Sequence, residues 1–233
     1  MNKLIIGLSG KKQSGKDDIS KHLKEYLTKI YCNEKDIKII NFADSLKEMC
    51  INKLGLSYNQ VYGSNEDKNS FTSYYWEKMP FLIRWKYSKI KFLNIPLVLR
   101  KGKITVREIL QIVGTDIFRY FFKNDIWISV LFNKLKKMDA KIIIIPDVRF
   151  PEEIYRVIDN SGFIIRLNRQ ILKDNHWSEK ALNHFKFNKF EECFLLNNSQ
   201  MNLKEQRIEA EKIMNKIMTR IHSESFNKAL ESF

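Results

Sequence analysis

Leu4-Ile5-Ile6-Gly7-Leu8-Ser9, running into Gly10-Lys11-Lys12-Gln13-Ser14-Gly15-Lys16-Asp17, is the stretch whose reading decides the fold. An apolar run of strand length meets a G-x-x-x-x-G-K loop, and Ile19, Leu23, Tyr26, Leu27 and Ile30 then recur at helical spacing. In a strand-loop-helix of this kind the backbone N–H groups and the positive helix end converge on one point, which suits a polyphosphate. The glycines let the backbone approach the oxygens without a Cβ in the way. Gly10, Ser14, Gly15 and Lys16 are therefore candidate phosphate ligands, with Lys16 reaching the transferred group. Asp17 stands where the pattern usually has the Ser or Thr that ligates Mg2+, so Asp17, with Asp18 beside it, is expected to act on the metal directly or through water. An ordinary glycine-rich turn capping a helix is the alternative.

Working outward, apolar runs bounded by turn residues recur at Ile37 to Phe42, Ile142 to Ile145, Phe163 to Leu167 and Phe194 to Leu196. With Leu4 to Leu8 they make five strands, and their alternation with helical patterns implies right-handed crossovers and a parallel sheet. The unbroken Ile142-Ile143-Ile144-Ile145 reads as a mid-sheet strand covered on both faces. Leu203, Ile213, Ile217 and Ile221 mark a closing helix. The expected fold class is α/β: a three-layer P-loop NTPase architecture whose five-stranded parallel sheet carries helices on both faces. One domain is expected over the 233 residues, with an insertion at about 56–103.

That insertion interleaves Tyr58, Tyr62, Tyr74, Tyr75, Trp76, Trp85 and Tyr87 with Arg84, Lys86, Lys89 and Lys91. Such a pattern can stack the bases of a single nucleic-acid strand; a helical insertion that buries its aromatics is the preferred reading. The formal charge of +14 raises the same question. Lys, Asn and Ile are abundant together, as from an AT-rich coding sequence, so much of the Lys excess reads as solvated surface, and a nucleic-acid partner is not expected. A positive field still draws in nucleotides. No apolar run approaches the eighteen or so residues of a membrane span, so no membrane partner is expected. Cys32, Cys50 and Cys193 are far apart and odd in number, without metal-ligand spacing; a reducing, cytoplasmic setting is expected.

Pro146-Asp147-Val148-Arg149-Phe150 follows the Ile142 run, which puts Asp147 and Arg149 at the carboxyl end of the sheet. An Asp there can hold Mg2+ or accept a proton, and an Arg can clamp a phosphate bidentately; a structural salt bridge at a strand end is the alternative. Thr105-Val106-Arg107-Glu108 is a capping-box pattern opening a helix with the apolar stripe Val106, Ile109, Leu110, Val113 and Ile117. Its other face carries Arg107, Gln111 and Thr115 at i, i+4 and i+8, with Arg119 near the edge. That row can read a base edge and a phosphate, or be a solvated face. Asp44 and Lys47, after the second strand, have two readings too: residues of the site, or in the case of Asp44 a helix cap.

These segments in order resemble the deoxynucleoside monophosphate kinases of phages and other viruses, a branch of the P-loop nucleoside monophosphate kinases. The resemblance rests on Leu8-Ser9-Gly10 with Ser14-Gly15-Lys16-Asp17, Phe42-Ala43-Asp44 with Leu46-Lys47, Val106-Arg107 through Leu110-Gln111 with Gly114-Thr115-Asp116, Trp127, Pro146 to Phe150, and His176 with Ser178-Glu179. It implies a Mg2+-dependent kinase moving the ATP γ-phosphoryl group to a deoxynucleoside monophosphate. Gly10, Gly15 and Lys16 would bind ATP, and Arg107, Gln111, Thr115, Asp116 and Trp127 would lie near the acceptor, with Asp147 and Arg149 serving the transfer. It also implies a lid-like segment at about 168–190, lid-type charges from Arg166 and Arg169, and Asn197-Asn198 bordering the adenine. Asp18 stands where the family usually has Thr. A homodimer is compatible with this reading, as is a host-cytoplasm location if the chain is virus-encoded. The rival readings are a phosphomevalonate-kinase-like enzyme, which shares the Ser-Gly-Lys-Asp loop, and a basic P-loop protein that binds nucleic acid.

Overall fold

The computed structural model describes residues 3–88, 91–92, 95–96, 98–169 and 181–230, the last seven of these as helical backbone only. They fall into two compact units, residues 1–42 with 134–233, and residues 43–133. The second unit takes in the expected insertion and reaches further on both sides. No helix among the described residues is long and apolar enough to cross a membrane.

The chain begins with β1 (Leu4–Ser9), α1 (Lys16–Ile30) and β2 (Ile37–Ile39) in the first unit. The second unit holds α2 (Asp44–Leu54), α3 (Tyr58–Tyr62), α4 (Asn65–Asn69), β3 (Phe71–Tyr75), α5 (Phe81–Lys86), β4 (Lys91–Phe92), β5 (Ile95–Pro96), β6 (Lys103–Thr105) and α6 (Val106–Gln111). A π-helical segment, Ile112–Arg119, continues α6, and the boundary between the units falls within α7 (Ile126–Lys137). The first unit then resumes with β7 (Ile142–Val148), α8 (Pro151–Ile158), β8 (Phe163–Leu167), β9 (Cys193–Leu196) and the long α9 (Leu203–Leu230).

The first unit is built on a five-stranded parallel sheet of order β2-β7-β1-β8-β9. β7 is interior, as its apolar run requires, and β1 is central. β7 also runs on through Pro146 to Val148, so Asp147 is inside the strand rather than beyond it. β2 is shorter than expected: Ile40 N still bonds Ile144 O, but the ladder stops there. Ile6 and Leu8 of β1 pack with Ile19, Leu23 and Leu27 of α1 and Ala210, Ile213, Met214 and Ile217 of α9. On the opposite face Gly7 meets Val157 of α8, which completes the helix-sheet-helix layering. α1 and α9 are further pinned by Asp18 to Arg207, His22 to Glu211 and Tyr26 to Asn215.

The second unit has its own core: Trp76 is fully buried among Cys50, Val61, Ile83, Ile104, Val106, Ile109 and Ile112. Antiparallel β3 and β6 form a two-stranded sheet, and β4 and β5 pair as another. Three short helices start on the capping boxes of Ser57, Ser64 and Thr105, in which the hydroxyl accepts from the N3 backbone N–H and the N3 side chain reaches back. The aromatics divide: Trp76 is interior and Tyr87 half-buried, whereas Tyr58, Tyr75 and Trp85 are exposed.

Candidate functional site

The phosphate loop forms as its residue pattern requires. Gly15 sits at φ 99°, a left-handed conformation that an L side chain adopts only with strain, and α1 begins immediately after it. Lys16 is buried and folds back over the loop, donating from Nζ to Gly10 O and, at 2.8 Å, to Lys11 O, with Ser14 Oγ at 3.4 Å. Its ammonium therefore already lies in the cradle, on carbonyls that a phosphate oxygen can replace as partner. Asp17 is exposed in the first turn of α1. Asp18, expected beside it at the ligand, is instead held by Arg207, whose Nε donates to Oδ2 at 3.0 Å and whose Nη2 donates to Oδ1. The Arg207 guanidinium holds the Asp18 carboxyl below the usual carboxylate range. Residue 18 is thus a helix-helix tie.

The strand register brings further groups to the same sheet end. Ser9 stands opposite Val148 on one side and Arg166 on the other. Arg166 Nη1 donates to the buried Ser9 Oγ at 2.9 Å, and its guanidinium lies over the Phe187 ring. Asp147 Oδ1 accepts from Phe42 N at 2.9 Å, so this carboxylate also fixes the exit from β2. Arg149 N and Phe150 N both donate to Oε2 of Glu153, which is 2% exposed. Glu153 was not among the expected site residues. Its signal was legible as Phe150-Pro151-Glu152-Glu153, a proline at N1 with a carboxylate at N3.

A cavity of about 740 Å³ opens at this end, lined by Lys11, Arg166, Arg169, His184, Lys186 and Phe187 among others. Its cationic and aromatic lining suits an anion carrying a flat ring. Arg169, at the cavity wall, has its guanidinium on backbone carbonyls: its Nε donates to Asn198 O at 3.0 Å and its Nη2 to Met201 O. Asn198 is fully buried, which corrects the expectation that its side chain borders the adenine. Its Nδ2 donates to Ser14 O at 2.8 Å and to Gln206 Oε1 at 2.9 Å, and its Oδ1 accepts from Arg169 N at 2.8 Å. The amide is a strut behind the phosphate loop. His176, Ser178 and Glu179, with most of the expected lid, lie outside the described residues.

The second unit assembles the other expected residues around α2, α4, α6 and the π segment. Asp44 is the first residue of α2 and not its N-cap, which is Ala43; its Oδ1 accepts from Tyr62 OH at 3.3 Å and lies 3.9 Å from Lys47 Nζ. Lys47 Nζ sits 4.4 Å over the Tyr62 ring, and Tyr58 stacks on Tyr62. Burial, with Asp44 adjacent, pushes the Tyr62 phenol well above its ordinary range. Arg107 opens α6, and Gln111, half-buried, ends it. Beyond Gln111 the helix widens into π geometry, so Thr115 and Arg119 do not continue the row that ideal α spacing implies.

Side chains from other elements pack onto the widened segment. Leu46 Cδ2 lies 2.6 Å from where a Cβ on Gly114 would be, so a larger residue there would displace the Leu46 side chain. Trp127 is buried and donates from Nε1 to Gly114 O at 2.9 Å, which makes it a support of this segment rather than a surface for a ligand. Asp116 is buried and takes Tyr87 OH at 2.8 Å and Lys86 Nζ. The insertion thus closes on the Gly114-Thr115-Asp116 motif. Burial pushes the Cys50 thiol up to about 11 and the Cys193 thiol up to about 12, which disfavours their thiolate forms.

The family model described as deoxynucleotide monophosphate kinase matches residues 82–208, more than half of the chain. A protein of Acanthamoeba polyphaga mimivirus, named as a candidate deoxynucleotide monophosphate kinase, is 28% identical over 199 residues, spanning 78% of this chain and 84% of its own length. The deoxynucleoside-5'-monophosphate kinase of Escherichia phage T5 is 25% identical over 177 residues, spanning 64% of this chain and 70% of its own.

Proposed function

The chain belongs to the deoxynucleotide monophosphate kinase family, and from that premise we propose that it transfers the γ-phosphoryl group of ATP, with Mg2+, to a deoxynucleoside monophosphate. The observation that carries the ATP half is the loop Gly10–Lys16, with Gly15 left-handed and the Lys16 ammonium held inside the cradle. Family membership sets the phosphomevalonate reading aside.

Phosphoryl transfer needs little covalent chemistry from a protein; it needs positioning and charge. Backbone N–H groups of residues 10–16 hold the donor phosphates, and Lys16 moves from loop carbonyls onto the transferred group. Arg166, braced on Ser9 and Phe187, adds charge at the donor side. Asp147 and Arg149 serve the transfer from the end of β7, the Asp147 carboxylate oriented by Phe42 N and the Arg149 backbone N–H held by Glu153. Arg107, Gln111, Asp44 and Lys47 bind the acceptor, its phosphate at Arg107 and Lys47.

The residues fit Mg2+ bound jointly with substrate. Asp17 offers an exposed carboxylate at the loop helix, and among the described residues no group of three or more His, Cys, Asp or Glu forms a closed cage. A small hard cation of this kind prefers one or two carboxylates, several waters and phosphate oxygens. Mg2+ would neutralise the charge that develops on the transferring group.

The test is product formation from ATP and Mg2+ with dTMP, dGMP, dCMP, dAMP and UMP in turn. Diphosphate is expected with one or more deoxynucleotides, and Lys16→Ala is expected to lower turnover about 10²–10³-fold, the usual loss for one transition-state charge. Silence across the panel, or an undiminished Lys16→Ala, rejects the proposal.

A further inference from the structure

Arg100, Arg207 and Arg220 are each paired with a carboxylate, from Glu108, Asp18 and Glu191. Arg107 is held differently. Its Nε donates to Asn69 Oδ1 at 2.9 Å and its Nη2 donates to Asn65 Oδ1 at 3.0 Å, and it has no carboxylate partner among the described residues. The two asparagines are the first and last residues of α4, one turn apart on one face, and α4 itself is fixed by the Ser64 capping box.

An amide oxygen orients a guanidinium by the same hydrogen bond as a carboxylate oxygen, though a weaker one, and leaves its charge uncompensated. Side-chain entropy lost in fixing a long Arg is then spent before a ligand arrives, and the full positive charge stays available to an anion. A carboxylate at either position would orient Arg107 more strongly and would also repel the incoming phosphate.

We propose that Asn65 and Asn69 are positioning residues of the acceptor site, a neutral clamp that pre-orients Arg107 toward the phosphate of the deoxynucleoside monophosphate while keeping its charge unspent. This rests on the reading of Arg107 as an acceptor-phosphate ligand. It gives α4, in the stretch that interrupts the β-α-β pattern, a part in acceptor binding.

The experiment compares Asn65→Ala/Asn69→Ala with Asn65→Asp/Asn69→Asp in steady-state kinetics, varying acceptor and ATP separately, with thermal melting alongside. The two mechanisms rank the variants in opposite order. With a neutral clamp the Asp pair is the worse, its acceptor KM raised about tenfold or more against a few-fold for the Ala pair, because added negative charge opposes the phosphate. ATP KM stays within about twofold in both, and the Asp pair melts no lower than wild type because the hydrogen bonds to Arg107 persist. If α4 only braces the fold, the Asp pair behaves as wild type and the Ala pair is the impaired one; that order, or unchanged acceptor KM in both, overturns the proposal. Arg107→Ala separates the layers. Acceptor KM unchanged in that variant rejects the underlying reading of Arg107 itself.

Discussion

At the scale of single residues, the most informative side chain is one whose type gave no warning of its place. Asn198 follows a strand in an Asn-Asn pair, a sequence that suits a loop rim, yet it is fully buried and makes three side-chain hydrogen bonds to three different segments. Removing that amide leaves Ser14 O without its donor behind the phosphate loop and Gln206 Oε1 without its partner. Asn198→Ala is expected to lower stability by about 2–3 kcal/mol in urea unfolding, the cost of stranding buried polar groups. The loop it braces should also loosen, so ATP KM should rise several-fold while acceptor KM changes little. Equal loss for both substrates would mean that the residue supports the fold and not the loop. Lys16 is the opposite case: its place, folded back over the loop, was legible from spacing alone because the G-x-x-x-x-G-K pattern carries its own geometry.

Among the elements, α1 and α9 show how the helix that follows the glycine loop is held in place. Asp18 and Arg207 join them by a two-pronged ion pair next to the first turn of α1, and the Asp18 carboxyl is held below its ordinary range by that partner. A carboxyl depressed in the folded state stabilises fully above its unfolded pKa of about 3.9 and loses that contribution as pH falls through the folded value. Asp18→Asn should therefore melt about 1–3 °C below wild type at pH 7, as a largely solvated pair allows, and the gap should close as pH falls below about 4. A gap that stays constant down to pH 3 would exclude the ion pair as its cause. The five strands and the helices between them were readable because a parallel sheet buried on both faces forces unbroken apolar runs. The π turn was not, since α6 and the segment after it carry one continuous α-helical stripe, and the contacts on the widened turn are tertiary: Leu46 packed over Gly114 and the Trp127 indole bonding its carbonyl. For the same reason Asp116 and Trp127 stood out as ligand-facing residues in the sequence and prove to be internally bonded. Motif spacing marks which residues matter, but not which neighbour they serve.

The whole molecule is two compact units with separate apolar clusters, one between the parallel sheet and α1 with α9, the other around Trp76. Cooperativity follows shared packing, so two such cores are expected to melt as distinct transitions rather than one. The tryptophans make this measurable. Three of the four tryptophans, Trp76, Trp85 and Trp127, lie within residues 43–133 and only Trp177 lies outside, so fluorescence reports chiefly on that unit, whereas far-UV circular dichroism reports on both units together. In urea the two probes should give different midpoints. Leu23→Ala, which empties a fully buried site against the sheet, should cost about 2–4 kcal/mol and move the dichroism transition while leaving the fluorescence midpoint nearly in place. Ile109→Ala, in the Trp76 cluster, should do the reverse. On the proposed reading of Gly10–Lys16, a non-hydrolysable ATP analogue should raise the transition that Leu23→Ala lowers, by an amount that grows with its concentration. Coincident midpoints for both probes, shifted together by either variant, would instead establish one cooperative unit, and the acceptor-side residues would then be held in place by the same free energy that holds the phosphate loop.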